Sequence, residues 1–269
     1  LQTLILSLEQ LSFGALLAIA PLALRQLPGG FPSLIAHVTA VLWGVAGVVA
    51  LRLPPGHGRD AAPLLFALGV ASLVYARVSL WGRHRLARAF LALLLALGAW
   101  ALFADAARLA SRLPGELSAA LIAASLLASA FVLGSALSTM ILGHWYLIPP
   151  PLPFSHLIRG AVIFLVACFL RAAVSIASVA YLTAVPATAH PGIHASLERL
   201  FRVEGDLIFV LLRAFWGILG PVLLSILVLR TARLHSNQST TGLLYVAVVF
   251  VLIGELLANF LLVQSSLPL

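Results

Sequence analysis

The 269-residue chain has one cysteine, one methionine and no lysine, and only 9% of its residues are charged. Cys168 has no partner in the chain, which excludes an internal disulfide, a CxxC redox pair and a cysteine metal cluster. So few charges cannot solvate the surface of a water-soluble domain. The sequence also lacks GxxxxGK[ST], HExxH, GxSxG and any Asp-rich Mg²⁺ motif. Nucleotide hydrolysis and the familiar hydrolases therefore have no visible machinery, and no catalytic residue is assigned. The chain is not expected to be an enzyme on its own.

What is abundant is oil. Hydrophobic residues make up 62% of the chain and the mean hydropathy is +1.12. A bilayer crossing needs about 20 mostly apolar residues, so this length accommodates about eight. Apolar runs bounded by Arg, Pro and Gly place them at Leu4–Leu24, Phe31–Arg52, Ala62–Trp81, Leu86–Asp105, Ser118–Leu147, His156–Leu182, Asp206–Val228 and Gly242–Leu262. Breaks such as RQLPGGFP, RLPPGHGRD, SRLPGE and IPPPLPF end helices where water can satisfy the freed backbone. The expected fold is an all-α polytopic integral membrane protein, a single transmembrane domain over residues 1–269. The opening LQTLILSLEQLSF has no basic n-region and no small-residue cleavage site, and is read as a first span and not a signal peptide.

An internal echo suggests two four-helix bundles, residues 1–115 and 116–269. LSFGALLAIAPLAL from Leu11 and FVLGSALSTMIL from Phe131 share a phenyl, glycine and small-residue pattern at an offset of 120. Membrane redox and transport folds are often built from such repeats.

All sixteen basic residues are arginines, most of them scattered in ones and twos at span ends. That distribution sets topology and does not read as a nucleic-acid surface. Eight crossings put Arg25, Arg83, Arg85, Arg88, Arg159, Arg230 and Arg233 on one side without a carboxylate. Arg52, Arg59, Arg108, Arg112, Arg199 and Arg202 lie on the other, mixed with Asp60, Asp105, Glu116, Glu198, Glu204 and Asp206. The cluster RHRLAR, Arg83 to Arg88, favours both termini outside a bacterial inner membrane. Residues 185–205 then form an external interfacial loop, in which Leu197, Leu200 and Phe201 make an amphipathic turn or two along the headgroups.

Four ionisable residues fall inside spans, where each costs roughly 2.5–3.5 kcal/mol to insert. Glu9, Arg171, Arg213 and Glu255 are expected roughly 8, 17, 10 and 11 Å from the outer ends. They would share one leaflet, and their charges would cancel. Asn259 shares a helix face with Glu255, and Cys168, Arg171, Ser175 and Ser178 line one stripe of the sixth span. Arg213 lies among Trp216, Gly217, Gly220 and Pro221, so its helix should bend or approach a neighbour closely. The group reads either as a polar cavity for a quinone headgroup, an anion or a proton, or as structural ion pairs.

The fifth span is small and lightly polar, with Ser125, Ser129, Ser135, Ser138, Thr139, Gly134 and Gly143, and should be central. His144 follows at its inner end, Trp145 and Tyr146 suit an interfacial belt, and Pro149 to Pro151 stop the helix. His37, His144 and His156 would lie at similar depth, where imidazoles can hold haem b iron or a quinone carbonyl. His190 and His194 are four apart, but Pro191–Gly192 breaks the helix that would align them on a metal. No metal is assigned.

The eight-helix, two-bundle plan resembles the quinol-interacting membrane subunits of respiratory oxidoreductases in architecture alone. That resemblance implies an integral subunit of a larger bacterial redox complex, structural or quinone-interacting, with membrane lipid and other subunits as partners. The alternative expectation is a secondary transporter or channel working through the intramembrane Glu/Arg cluster.

Overall fold

The structure is a computed structural model, and it describes residues 1–22, 27, 29–54, 58–112, 119–147, 153–186, 188, 191–202 and 206–268. Regular structure among the described residues is all helical: α1 (Gln2–Ile19), α2 (Gly30–Ala50), α3 (Ala62–Leu80), α4 (His84–Ala110), α5 (Ala119–Trp145), α6 (Ser155–Ala184), α7 (Pro191–Phe201), α8 (Leu207–Ala214), α9 (Gly220–Arg233) and α10 (Asn237–Ser265). A π turn, Phe215–Leu219, joins α8 to α9 into one continuous span. Counted this way, eight segments among the described residues are long and apolar enough to cross a membrane. This is a polytopic, all-α membrane protein.

Helix ends differ from expectation for local reasons. α1 stops at Ile19, just before Pro21, instead of running to Leu24. Residues 23–26 lie outside the described set, as do Glu116, Pro149 to Pro151, His190 and Glu204. α4 continues past Asp105 to Ala110 because Arg108, one turn on, pairs with the Asp105 carboxylate. α10 starts at Asn237, ahead of the apolar run, where Thr240 Oγ1 donates to the Ser236 carbonyl at 2.7 Å.

The packing centre is the crossing of α1 and α5. A Cβ on Gly14 would collide with the Ala130 carbonyl, and one on Gly134 with the Gly14 backbone. Bare backbone is what lets two helices meet this closely without a hydrophobic drive between them. Gly14 and Gly134 are the echoed glycines, 120 positions apart. Ser138 Oγ donates across the seam to the Ala15 carbonyl at 3.2 Å. To one side, a cluster of α1–α4 residues packs around Trp43, Phe31, Leu65 and Leu102. To the other, Phe164, Val228, Leu244 and Val251 belong to a cluster from α5, α6, α9 and α10.

The two ends are chemically distinct. At the terminal end Arg112 ties both chain ends together, donating to the Gln2 side chain at 2.9 Å and the Val263 carbonyl at 3.0 Å. α7 also sits there, within residues 185–205. Pro191 opens a helix of 11 residues, and Ile193, Leu197 and Leu200 are buried among Leu6, Leu109, Leu182 and Leu267. The apolar stripe packs on the bundle, leaving Phe201 exposed. Its polar edge is tied down by the His194 ring, 2.7 Å from the Val185 carbonyl, and by Arg199 at 3.8 Å from Asp206.

Two outcomes are expected. Gly134→Ala should cost roughly 1–3 kcal/mol through overpacking, whereas Gly44→Ala, which meets only open space, should gain roughly 0.5–1 kcal/mol of helix propensity. Unfolding in detergent micelles compares them. In a Cys168→Ala background and sealed vesicles, an impermeant maleimide should label Glu198→Cys and Gln238→Cys from opposite sides; same-side labelling would refute the single crossing between them, Leu207–Arg233.

Candidate functional site

The buried charges do not form the neutral quartet expected from sequence. Three of them meet. Arg171 Nε lies 3.1 Å from both Glu255 carboxylate oxygens, and Arg213 Nη2 lies 3.2 Å from Oε1. All three side chains are almost fully buried. Arg171 Nη1 also donates to Ser125 at 3.2 Å and to Ser175, one turn along α6, at 3.1 Å. Arg213 is placed differently: none of its three guanidinium nitrogens has a hydrogen-bond partner among the described residues.

The backbone explains how Arg213 reaches Glu255. The π turn begins two residues after it, and Gly217 within that turn presses on Gly254, the neighbour of Glu255. A Cβ on Gly217 would fall on the Arg213 guanidinium, and one on Gly254 on the Gly217 backbone. The close approach expected around Arg213 is therefore present, at a π turn. Trp216 stacks at 4.3 Å from Phe250 on the next turn of α10, closing the seam.

Asn259 shares the buried face of α10 with Glu255 but serves a second, uncharged network. Its amide accepts from Gln10 at 3.1 Å and donates to Gln10 at 2.7 Å and Ser7 at 2.9 Å. Ser129 donates to Gln10 at 3.0 Å and also lies within hydrogen-bonding reach of Glu255. A buried polar belt thus runs from α1 through α10 and α5 to the arginines. Sequence reasoning missed Gln10, although its position beside Glu9 inside an apolar span was a signal.

Glu9 stands apart from the triad because it faces α4 instead of α6 and α8. α1 and α4 run antiparallel, with Phe13 against Gly98 and Gln2 against Arg112. That register sets Glu9 opposite the turn of α4 that carries Leu102 and Asp105. It is 1% exposed, its Oε2 has no hydrogen-bond partner, and the cation acting on it is Arg108. One turn above, toward the terminal end, Ile5 and Leu6 help line a cavity of about 220 Å³. Leu53, Leu109 and Val263 complete its apolar wall, while Gln2, Asp105, Arg108, Ser111 and Arg112 supply polar groups. Gly58, at φ 109°, lets the chain after α2 close over Arg108.

The hairpin-end residues do not converge. His37 is exposed, 2.7 Å from the Ser33 carbonyl on its own helix; His144 is exposed and 3.1 Å from the Tyr245 hydroxyl; His156 is buried with Nδ1 unpartnered. No hydrogen bond or ring contact links any two of them among the described residues, so nothing here builds a bis-imidazole haem site. Trp145 meets Phe31 edge-on at 6.2 Å, and the Tyr146 hydroxyl donates to the Pro153 carbonyl at 2.5 Å. Those contacts close the hairpin end. No group of three or more metal-capable side chains occurs among the described residues.

Comparison with protein-family models, curated proteins and solved structures gave no match.

Removing Glu255 strands two arginines in a low dielectric, so Glu255→Leu should destabilise by roughly 3–5 kcal/mol. Arg213→Met keeps the Arg171–Glu255 pair and should cost markedly less. Thermal unfolding in one detergent, run on both variants, checks the order.

Proposed function

We propose that the chain is a multi-pass subunit of a larger redox complex in a bacterial cytoplasmic membrane, with both termini outside, and that a quinone ring enters the cavity above Glu9. The observation that carries this reading is Glu9 itself: a carboxylate buried without a hydrogen-bond partner on Oε2, one helical turn beneath a cavity with apolar walls and an arginine rim. An ionisable group that costly inside a span is by default a working group.

The cavity, at about 220 Å³, is smaller than the roughly 300–1,000 Å³ that drug-sized ligands occupy, and suits a single substituted ring. Ile5, Leu6, Leu53 and Leu109 would hold the ring, and Arg108 would donate to a ring oxygen. A quinol losing two electrons to a redox centre on a partner subunit must also lose two protons, and Glu9 and Asp105 are the carboxylates in reach of it. Partner subunits would cover part of the lipid-facing bundle.

The native detergent-extracted particle should contain further subunits, a redox chromophore and extractable quinone. Leu109→Trp should fill the cavity and lose the quinone while the subunits stay together. A chain that purifies alone, with no quinone, would reject the proposal.

A transporter is the second reading, supported by the α1–α5 glycine crossing, about which two helix groups could rock, and by the polar belt beside it. Solute or proton flux through the isolated chain in liposomes, abolished by Arg171→Ala, would favour it.

A further inference from the structure

Charges outside the spans divide unequally between the two ends of the bundle. At the terminal end three arginines are paired within the chain: Arg108 with Asp105, Arg199 with Asp206 and Arg202 with Glu198. The hairpin end is where α1 meets α2, α3 meets α4, α5 meets α6 and α9 meets α10. Arg83, Arg85, Arg88, Arg159, Arg230 and Arg233 are exposed there, and the chain supplies no carboxylate to meet them. The connections at that end, residues 20–29, 81–83, 146–154 and 234–236, contain no aspartate or glutamate. Glu116 and Glu204 belong to connections at the terminal end. Arg88 Nε reaches the His84 carbonyl at 3.4 Å, which is a neutral acceptor.

Orientation in the membrane does not require this division. Topology follows the arginine count, to which acidic residues contribute little, and the two ends carry seven and six. Keeping every Asp and Glu outside the spans away from one end does something else: it leaves a face of a single sign, matched to a partner of the opposite sign. The apolar neighbours narrow the choice of partner. The α3–α4 connection is three residues long, turned by Gly82 at φ 66°, and it sets Trp81, 66% exposed, close to Arg83 and Arg85. The α9–α10 connection likewise sets Leu234, 78% exposed, next to Arg233. Leu80 and Leu86 are exposed as well. At both hairpins, guanidinium groups and bare apolar side chains therefore stand side by side. Guanidinium forks fit phosphate oxygens, and the apolar groups on the span side fit acyl chains. An acidic protein surface offers only the first of these matches.

We propose that the hairpin end is a binding face for anionic phospholipid. Headgroup phosphates lie on the arginines of the α3–α4 and α9–α10 hairpins, and the acyl chains run along the exposed flanks of those helices. The inference does not rest on the quinone reading, and its test uses no quinone.

The purified full-length protein, stripped of lipid in an uncharged detergent, is offered equimolar phosphatidylglycerol and phosphatidylcholine, and the lipids it retains are counted by native mass spectrometry. Phosphatidylglycerol should be retained roughly fivefold over phosphatidylcholine, the ratio equivalent to the ~1 kcal/mol that one arginine contributes near an anionic surface. Replacing Arg83, Arg85, Arg88, Arg230 and Arg233 together by Gln should remove the preference, and replacing the same five by Lys should keep most of it. All five are exposed, so the fold does not hang on them. Arg199→Gln with Arg202→Gln, at the terminal end, should leave the preference unchanged. Inorganic phosphate at the same concentration as the lipid should not displace it, because phosphate has no chains to hold. The proposal is overturned by equal retention of the two lipids in the wild type, by a preference that survives the five Gln substitutions, by an equal loss in the terminal-end control, or by displacement with phosphate. An acidic protein released from the native particle by the five Gln substitutions, with no lipid preference in the wild type, would assign the face to a subunit instead.

Discussion

A formal charge inside a bilayer span has no water to fall back on, and the arrangement of this protein follows from where each such charge finds its counterpart. Glu255 accepts Arg171 through a two-oxygen contact and holds Arg213 at 3.2 Å. α6, α8 and α10 are thereby tied at one level. Hydrophobic burial cannot supply that tie, because lipid tails are as apolar as leucine. What it can do is shape the helices that carry the charges. Helix contact in this bundle therefore depends on short backbone approach and polar pairing, and both are found at the same places.

The two glycine contacts illustrate this. Gly14 against Gly134 brings α1 and α5 together, and Gln10, one turn from Gly14, then bonds with Ser129, one turn from Gly134. Gly217 against Gly254 brings the π turn onto α10, and Arg213 then reaches Glu255. In each case the missing side chains and the polar contact are neighbours, since a hydrogen bond between helices needs axes close enough for short side chains to span. The π turn adds one residue to the helical repeat, which redirects Arg213 without breaking the span.

Much of the fold was legible because length and hydropathy act locally. Eight apolar runs became eight spans, and the serine-rich fifth became the central helix, with Ser125, Ser129, Ser135, Ser138 and Thr139 all buried. The candidate site was legible only in part. Arg171, Glu255 and Asn259 could be placed on faces by helical spacing, but Glu9 was assigned to the same cluster from depth alone. Depth is one coordinate; the azimuth of α1, fixed by Gly14 against α5 and Phe13 against Gly98, turns Glu9 toward α4. α7 was underestimated for a related reason. Its Ile193, Leu197 and Leu200 stripe reads equally well as lipid-facing or protein-facing until the end of the bundle is in view. The cavity draws on α1, α4, α10 and the segment between α2 and α3, a combination that no local pattern announces.

The distribution of polar chemistry across the bundle is lopsided in a way that packing alone does not require. On the α2, α3 side the large buried side chains are Trp43, Tyr75, Phe31, Leu65 and Leu68, whereas the α6, α8, α10 side buries Arg171, Arg213 and Glu255. Both sides are helix bundles against the same pair, α1 and α5. Replacing buried ion groups by packed hydrophobic residues is often neutral or favourable for stability. The triad instead fixes which faces of α6, α8 and α10 meet, since each guanidinium must reach the one carboxylate. Buried charge lies on α4, α6, α10, the α8 end of the seventh span and the Glu9 face of α1, and among the described residues the α2, α3 side buries none.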